Sequence, residues 1–291
     1  MAVCLVLGAS GQIGRYLVPC LLDAGHDVHA SSRTAHPSRH ERMHWVRADL
    51  FAAPPDLPPL DVIFSLGPLD GFAHWLDQGR FEGTPHLLAF GSMSAVSKRD
   101  SADAGERALS ARLLESERRV IDTARARGLP WTLFRPTMIY GAGIDRSLSV
   151  LARWGCTLRV FPSVPGALGL RQPVHAQDLA DVCMLAWKNT RATDTTFELG
   201  GGERLTFARM LERVRNALPV RSLALPIAMT AIDAATRITQ HVAFLRALRP
   251  AVARRLREDL VADTTIALDR LNWRPRGFAP DVATWVPTPL P

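Results

Sequence analysis

The clearest chemical signal in the chain is VLGASGQIGRYL, residues 6–17, in which Gly8, Gly11 and Gly14 recur at intervals of three. An apolar run, Met1–Leu7, precedes it, and a stretch with helical periodicity comes after. In a strand–turn–helix unit the first glycine permits a tight turn. The second lets the backbone approach a pyrophosphate, and the third lets the helix lie close on the strand. Free N–H groups and the positive dipole end of the helix then face the anion. Ser10, Gln12 and Ile13 complete the loop, and the spacing predicts dinucleotide binding. At the end of the second apolar run, in HDVHASSRTAH, stand Ser31, Ser32 and Arg33. A cofactor with free ribose hydroxyls usually meets a carboxylate there. A guanidinium instead forks onto a 2′-phosphate that a carboxylate would repel, so NADP(H) is expected in preference to NAD(H). Asp49, in RADLF, is expected to accept from the adenine amino group. Leu50, Leu66, Gly67 and Pro136 complete the predicted cofactor contacts.

These residues need a sheet to position them. Short apolar runs bounded by turn residues predict strands at about 2–7, 26–32, 43–47, 60–66, 86–91 and 130–135. Helical periodicity lies between several of them. In GRYLVPCLLDAG it ends at Gly25, and in residues 111–128 at Gly128, both C-terminal glycines. Strand and helix in alternation predict an α/β fold, a Rossmann-type doubly wound parallel sheet. Beyond about residue 140 the pattern loosens. Helices are expected from Asp178, as N-cap, to Asn189, at Thr206–Leu218 and through Ala231–Leu260. The expected organisation is a dinucleotide-binding core over 1–165 and a smaller, mostly helical substrate lobe over 166–291. Ligands of such sheets bind at the carboxyl edge, under that lobe.

Further segments extend the pattern: FGSMSAV (90–96), GLPWTLFRPTMIYGAG (128–143), QPVHAQDLADV (172–182) and LNWRPRGFAPD (271–281). With the glycine turn, they resemble the short-chain dehydrogenase/reductase superfamily, in its extended and atypical NAD-dependent epimerase/dehydratase branch, over nearly the whole chain. The resemblance implies a proton-transferring Tyr-x-x-x-Lys pair on the helix after the fifth strand, where a lysine lowers the phenol pKa. Alignment places Leu109 and Leu113 there. The chain's two tyrosines, Tyr16 and Tyr140, are followed four residues later by Cys20 and Ile144, so the pair is absent. The resemblance also implies a serine after the fifth strand, with Ser92 and Ser94 as candidates flanking Met93. It offers His175 as an acid or base, or as a structural histidine, and Arg171 as a contact for an anionic substrate group.

Composition narrows the function class. The formal charge of +7 is carried almost wholly by arginine, spread without aromatic interleaving, which suits an anionic small ligand rather than nucleic acid. Four cysteines lie far apart with no CxxC pair, and His36, His40 and His44 are separated by Pro37 and a strand, so no metal site is expected. The N-terminus has no basic leader and no later run is long enough for a membrane span, which makes a cytoplasmic protein the expectation. Two readings stay open: an NADP(H)-dependent reductase or epimerase-like enzyme on a small organic substrate, and a non-catalytic nucleotide-binding regulator or structural subunit. Its oligomeric state, monomer or homodimer, is left open.

Overall fold

The computed structural model describes residues 1–52, 55–79, 81–230 and 256–290. Its first half runs β1 (Val3–Leu7), α1 (Gly14–Asp23), β2 (Asp27–Ser32), β3 (Met43–Arg47), β4 (Val62–Ser65), α2 (Leu69–Gln78), β5 (His86–Phe90), α3 (Ser94–Ser97), α4 (Ala104–Ala126) and β6 (Trp131–Pro136). All six expected strands are present, with ends shifted by a residue or two. The second half runs β7 (Ile139–Tyr140), α5 (Leu148–Leu158), β8 (Val160–Ser163), β9 (Leu170–Arg171), β10 (Val174–His175), α6 (Ala176–Ala186), β11 (Thr195–Leu199), β12 (Leu205–Thr206), α7 (Phe207–Asn216), β13 (Leu223–Pro226) and α8 (Thr265–Leu271).

Seven strands form one parallel sheet in the order β11-β6-β5-β4-β1-β2-β3. The chain leaves β1 toward β2 and β3, then returns to the other side of β1 at β4. A crevice therefore opens at the carboxyl ends of β1 and β4, where the glycine turn lies. Strand pleating splits the side chains between two layers. Cys4 and Val6 pack with α1 and α6, whereas Leu5 and Leu7 pack with α2 and α4. Burial on both faces explains why the central strands β1, β4, β5 and β6 read as nearly continuous apolar runs.

Capping explains where helix starts differ from expectation. α4 begins at Ala104, earlier than the periodicity predicts, because the Asp103 carboxylate accepts from the Glu106 N–H at 2.9 Å. The expected cap at Asp178 is corrected: α6 starts at Ala176, and His175 Nδ1 accepts from the Gln177 N–H at 3.1 Å. Asp178 sits in the first turn and receives the Arg276 Nε–H at 2.8 Å and the Arg276 backbone N–H at 3.0 Å. It thereby ties the C-terminal segment to α6. The helix expected over Thr206–Leu218 is α7, capped by Thr206, whose side chain accepts from the Arg209 N–H.

The second half of the chain has its own core, with Tyr140, Leu148, Phe161, Met210, Phe278 and Trp285 packed together. Alongside its helices it contains the two-stranded ladders β7–β10, β8–β13 and β9–β12. Residues 231–255 of the expected 231–260 helix lie outside the described residues. Leu256–Leu260 form a turn and a single bridge to Arg171 instead of helix. Among the described residues no helix is long and apolar enough to cross a membrane.

Beneath the sheet, Thr132 donates its hydroxyl to the Ala192 carbonyl at 2.9 Å, so it must accept from His86 Nε2–H at 2.9 Å. Burial pushes the His86 pKa down from 6.5 to about 4, partly opposed by Asp194. The unfolded chain therefore takes up a proton before the folded one, and stability falls as pH drops from 6.5 toward 4. His86→Gln should lose about 2 kcal/mol less stability than the parent chain between pH 7 and pH 4.5, measured by urea unfolding. Identical losses would remove His86 from the acid response.

Candidate functional site

The glycine turn shows why each glycine is needed. Gly8 adopts φ +82°, and a Cβ there would lie 3.2 Å from the Gly67 nitrogen. A Cβ on Gly14 would lie 2.2 Å from the Ala9 carbonyl oxygen, so only glycine lets α1 start this close to β1. Gly11 is different. Its N–H closes the turn onto the Gly8 carbonyl at 2.9 Å, and a Cβ would meet only the Gly8 oxygen, at 3.0 Å. The space above Gly11 is open.

α1 has no side-chain cap. Among the described residues, the N–H groups of Gln12 and Ile13 have no hydrogen-bond partner. Gln12 Oε1 is also buried without a partner. Orphan N–H groups at a helix N-terminus form an anion site, whereas the amide oxygen, an acceptor, calls for a donor elsewhere on a ligand, such as a ribose hydroxyl. The turn thus fits the diphosphate of a dinucleotide. Leu66 and Gly67 back Gly8, and Leu50 packs against Gly67. Asp49 spends one carboxylate oxygen on the Phe51 N–H at 3.0 Å and is otherwise exposed.

At the end of β2, Ser31 Oγ accepts from the Gly8 N–H at 3.3 Å. Ser32 Oγ lies 3.5 Å from Ser10 Oγ, 3.2 Å from Thr34 Oγ1 and 3.1 Å from His36 Nε2. Arg33 is exposed beside this cluster. Sequence reasoning missed Thr34 and His36, although both lie within four residues of Ser32.

A cleft of about 480 Å³ opens along the carboxyl edge and brings Gln12, Ser92, Ser94, Pro136 and Arg171 together. Pairing of β5 with β6 continues past the sheet to deliver the serines: the Gly91 N–H reaches the Phe134 carbonyl at 2.8 Å, and Met93 reaches Pro136 at 3.0 Å. Below them the buried Glu117 carboxylate on α4 takes Arg135 Nε at 3.0 Å and Nη2 at 2.5 Å. A Cβ on Gly91 would lie 2.9 Å from Glu117 Oε1, so the ion pair sits directly under the serine loop. Ser92 Oγ accepts from the Ser94 N–H at 3.1 Å. Arg171 is buried and donates to the Leu170 and Glu258 carbonyls at 2.7 and 2.9 Å.

His175 is not among the cleft residues. Its ring lies 5.6 Å from Tyr16 and 5.1 Å from Tyr140, and it fills the space a side chain on Gly141 would occupy. Burial, with Arg276 adding to it, pushes its pKa down to about 4, so it is neutral at pH 7. Burial also pushes the Tyr140 phenol up to about 12. Neither tyrosine lines the cleft, and Tyr16 donates to the Gly141 carbonyl at 2.7 Å. Leu109 and Leu113 lie on α4, half-buried. Sequence reasoning missed Lys98, Asp145 and Arg146, which also line the cleft. Lys98, one of two lysines in the chain, was the legible signal, two residues past FGSMSAV.

The model of the NAD dependent epimerase/dehydratase family matches residues 4–56. No curated protein matches the chain significantly. Several solved structures share its fold. A UDP-glucuronic acid 4-epimerase from Bacillus cereus, in complex with UDP-glucuronic acid and NAD, is 12% identical over 94% of both chains, with TM-score 0.70. An epimerase from Methanothermobacter thermautotrophicus is 14% identical over 97% of this chain and 90% of its own, with TM-score 0.72. The NAD-dependent NDP-hexosamine 5,6-dehydratase TunA is 15% identical over 98% of this chain and 95% of its own, with TM-score 0.70. The resemblance read from the sequence is therefore borne out: residues 4–56, the glycine turn among them, match the NAD dependent epimerase/dehydratase family, and the chain has the fold of these epimerases and this dehydratase.

Proposed function

We propose that the chain binds NADP(H) across the glycine turn and works as a reductase or epimerase-like oxidoreductase on a small organic substrate in the adjoining cleft. The supporting observation is the pair of unpartnered N–H groups at Gln12 and Ile13, where the glycine turn enters α1. When bound, the nicotinamide supplies hydride chemistry. The turn would hold the diphosphate, Asp49 the adenine, and Ser32, Thr34, His36 and Arg33 the 2′-phosphate. Among the structures that share the fold, the Bacillus cereus epimerase is in complex with NAD and TunA is NAD-dependent. Preference for NADP(H) here rests on the hydroxyl, imidazole and guanidinium cluster standing where a carboxylate would be expected.

Ser92 and Ser94 are placed to donate a hydrogen bond to a substrate carbonyl and orient it. A serine hydroxyl at neutral pH polarises a carbonyl but is a poor proton source, so the proton would come from water or from the substrate. His175 caps α6 from outside the cleft, and its role is structural. The missing phenol favours a second reading, a nucleotide-responsive binding protein without turnover, in which cofactor binding shifts a conformational population.

Arg33→Ala should weaken NADPH about tenfold by calorimetry and leave NADH unchanged. Equal weakening, or a parent chain preferring NADH, would overturn the 2′-phosphate assignment. Gly11→Leu needs no unusual backbone and should melt within a few degrees of the parent while losing measurable affinity for both nucleotides. Retained affinity would remove the diphosphate from the turn. Absorbance at the reduced nicotinamide band, followed with a carbonyl panel, separates the two readings: turnover lost in the double variant Ser92→Ala, Ser94→Ala supports the enzyme, and binding with no turnover supports the regulator.

A further inference from the structure

The glycine turn must be held from outside, because Gly8 and Gly11 leave its backbone wide conformational freedom. Arg15, the second residue of α1, fixes two of its peptide planes. Its Nε–H donates to the Ser10 carbonyl at 3.1 Å, and its backbone N–H donates to the Gly11 carbonyl at 3.2 Å. A planar trans peptide points its N–H opposite its C=O, so these two bonds set the directions of the Gly11 and Gln12 N–H groups. The first closes the turn, and the second faces the anion site.

Arg15 is held in turn by a segment more than 270 residues away. Its Nη1–H donates to the Thr288 carbonyl. The Thr288 N–H donates to the Ala142 carbonyl at 3.1 Å. Tyr16 gives its hydroxyl proton to the Gly141 carbonyl at 2.7 Å, so it accepts from the Thr288 hydroxyl at 3.1 Å. These bonds close a circuit through the turn, α1, the segment 286–288 and the loop after β7. The segment lies directly on that loop, where a Cβ on Gly143 would come within 2.4 Å of the Val286 carbonyl carbon. Trp285 anchors it in the core of the second half, with its Nε1–H on the Ala217 carbonyl at 3.1 Å. We infer that Arg15 is a positioning residue for the diphosphate turn, and that the segment 286–288, by holding Arg15, sets nucleotide affinity from outside the cleft. Neither lines the cleft itself. By reciprocity, bound nucleotide holds the segment down. The inference rests on the diphosphate reading of the turn.

NADPH is the probe, titrated by calorimetry into the full chain, Arg15→Met, Thr288→Pro and the double variant. Proline at 288 removes both the N–H and the hydroxyl that pin the segment. Each single variant should weaken NADPH about tenfold. The double variant should also lose about tenfold, because both changes break one circuit, whereas independent contributions would multiply to about a hundredfold. Hydrogen exchange on the parent chain checks the same coupling without a variant. Saturating NADPH should slow exchange of the Thr288 amide about tenfold, and by about twofold or less in Arg15→Met. A segment that only stabilises the fold would lower the melting temperature of Thr288→Pro yet leave NADPH affinity and Thr288 exchange unmoved. That result, or a hundredfold loss in the double variant, would overturn the inference while the diphosphate reading stands. A parent chain that binds neither NADPH nor NADH would overturn that reading and the coupling with it.

Discussion

The approach of α1 to β1 at Gly14 is the constraint on which the rest depends. A side chain at this position would collide with the Ala9 carbonyl, so the helix can follow the strand this closely only with glycine there. The N-cap residue, Ile13, has no polar side chain to accept from the backbone, and the Gln12 and Ile13 N–H groups stay unpaired at the mouth of the crevice. The parallel order of the sheet puts that mouth where strand order reverses, between β1 and β4. A packing requirement and an anion site thus adjoin in one turn.

From that point the site is assembled outward. Ser31 and Ser32 at the end of β2 touch the turn, and Leu66 and Gly67 at the end of β4 back it. The extension of β5 along β6, held over the Glu117–Arg135 ion pair, brings Ser92 and Ser94 to the far side of the cleft. That pair is bidentate, with Glu117 buried and Arg135 half-buried, so removing Arg135 would leave an uncompensated carboxylate beneath the serine loop. The lobe closes the other wall through Met138, Asp145 and Arg171, and the Asp178–Arg276 contact anchors its C-terminal segment. Where the resemblance leads one to look for a phenol and an ammonium, α4 presents Leu109 and Leu113. The ammonium that does reach the cleft, Lys98, arrives by another route.

Much of the fold was legible in the sequence because β1, β4, β5 and β6 are buried on both faces, which writes them as apolar runs between turn residues. β11 carried no such signature. Thr195, Thr196 and Glu198 are only half-buried at the sheet edge, and its identity as a strand depends on pairing with β6 far away in sequence. α2 was obscured by Gly71 in its first turn and by a start at Pro68 without a capping side chain. The α6 boundary was misplaced because a histidine nitrogen, not a carboxylate, accepts the first N–H. The glycine turn was legible because local backbone chemistry dictates it. His36 reached Ser32 by a local bend, and Lys98 meets Asp145 and Arg146 only after two loops converge, so their shared cleft had no sequence spacing to read.

The most direct test of the diphosphate site is a pair of amide signals. In the 15N-labelled full chain, saturating NADPH should shift the Gln12 and Ile13 amide resonances strongly downfield, as their N–H groups take up charged acceptors, while the buried β4 amides of Val62 and Ile63 stay near their free positions. Unmoved Gln12 and Ile13 resonances at saturation would contradict the account at its foundation.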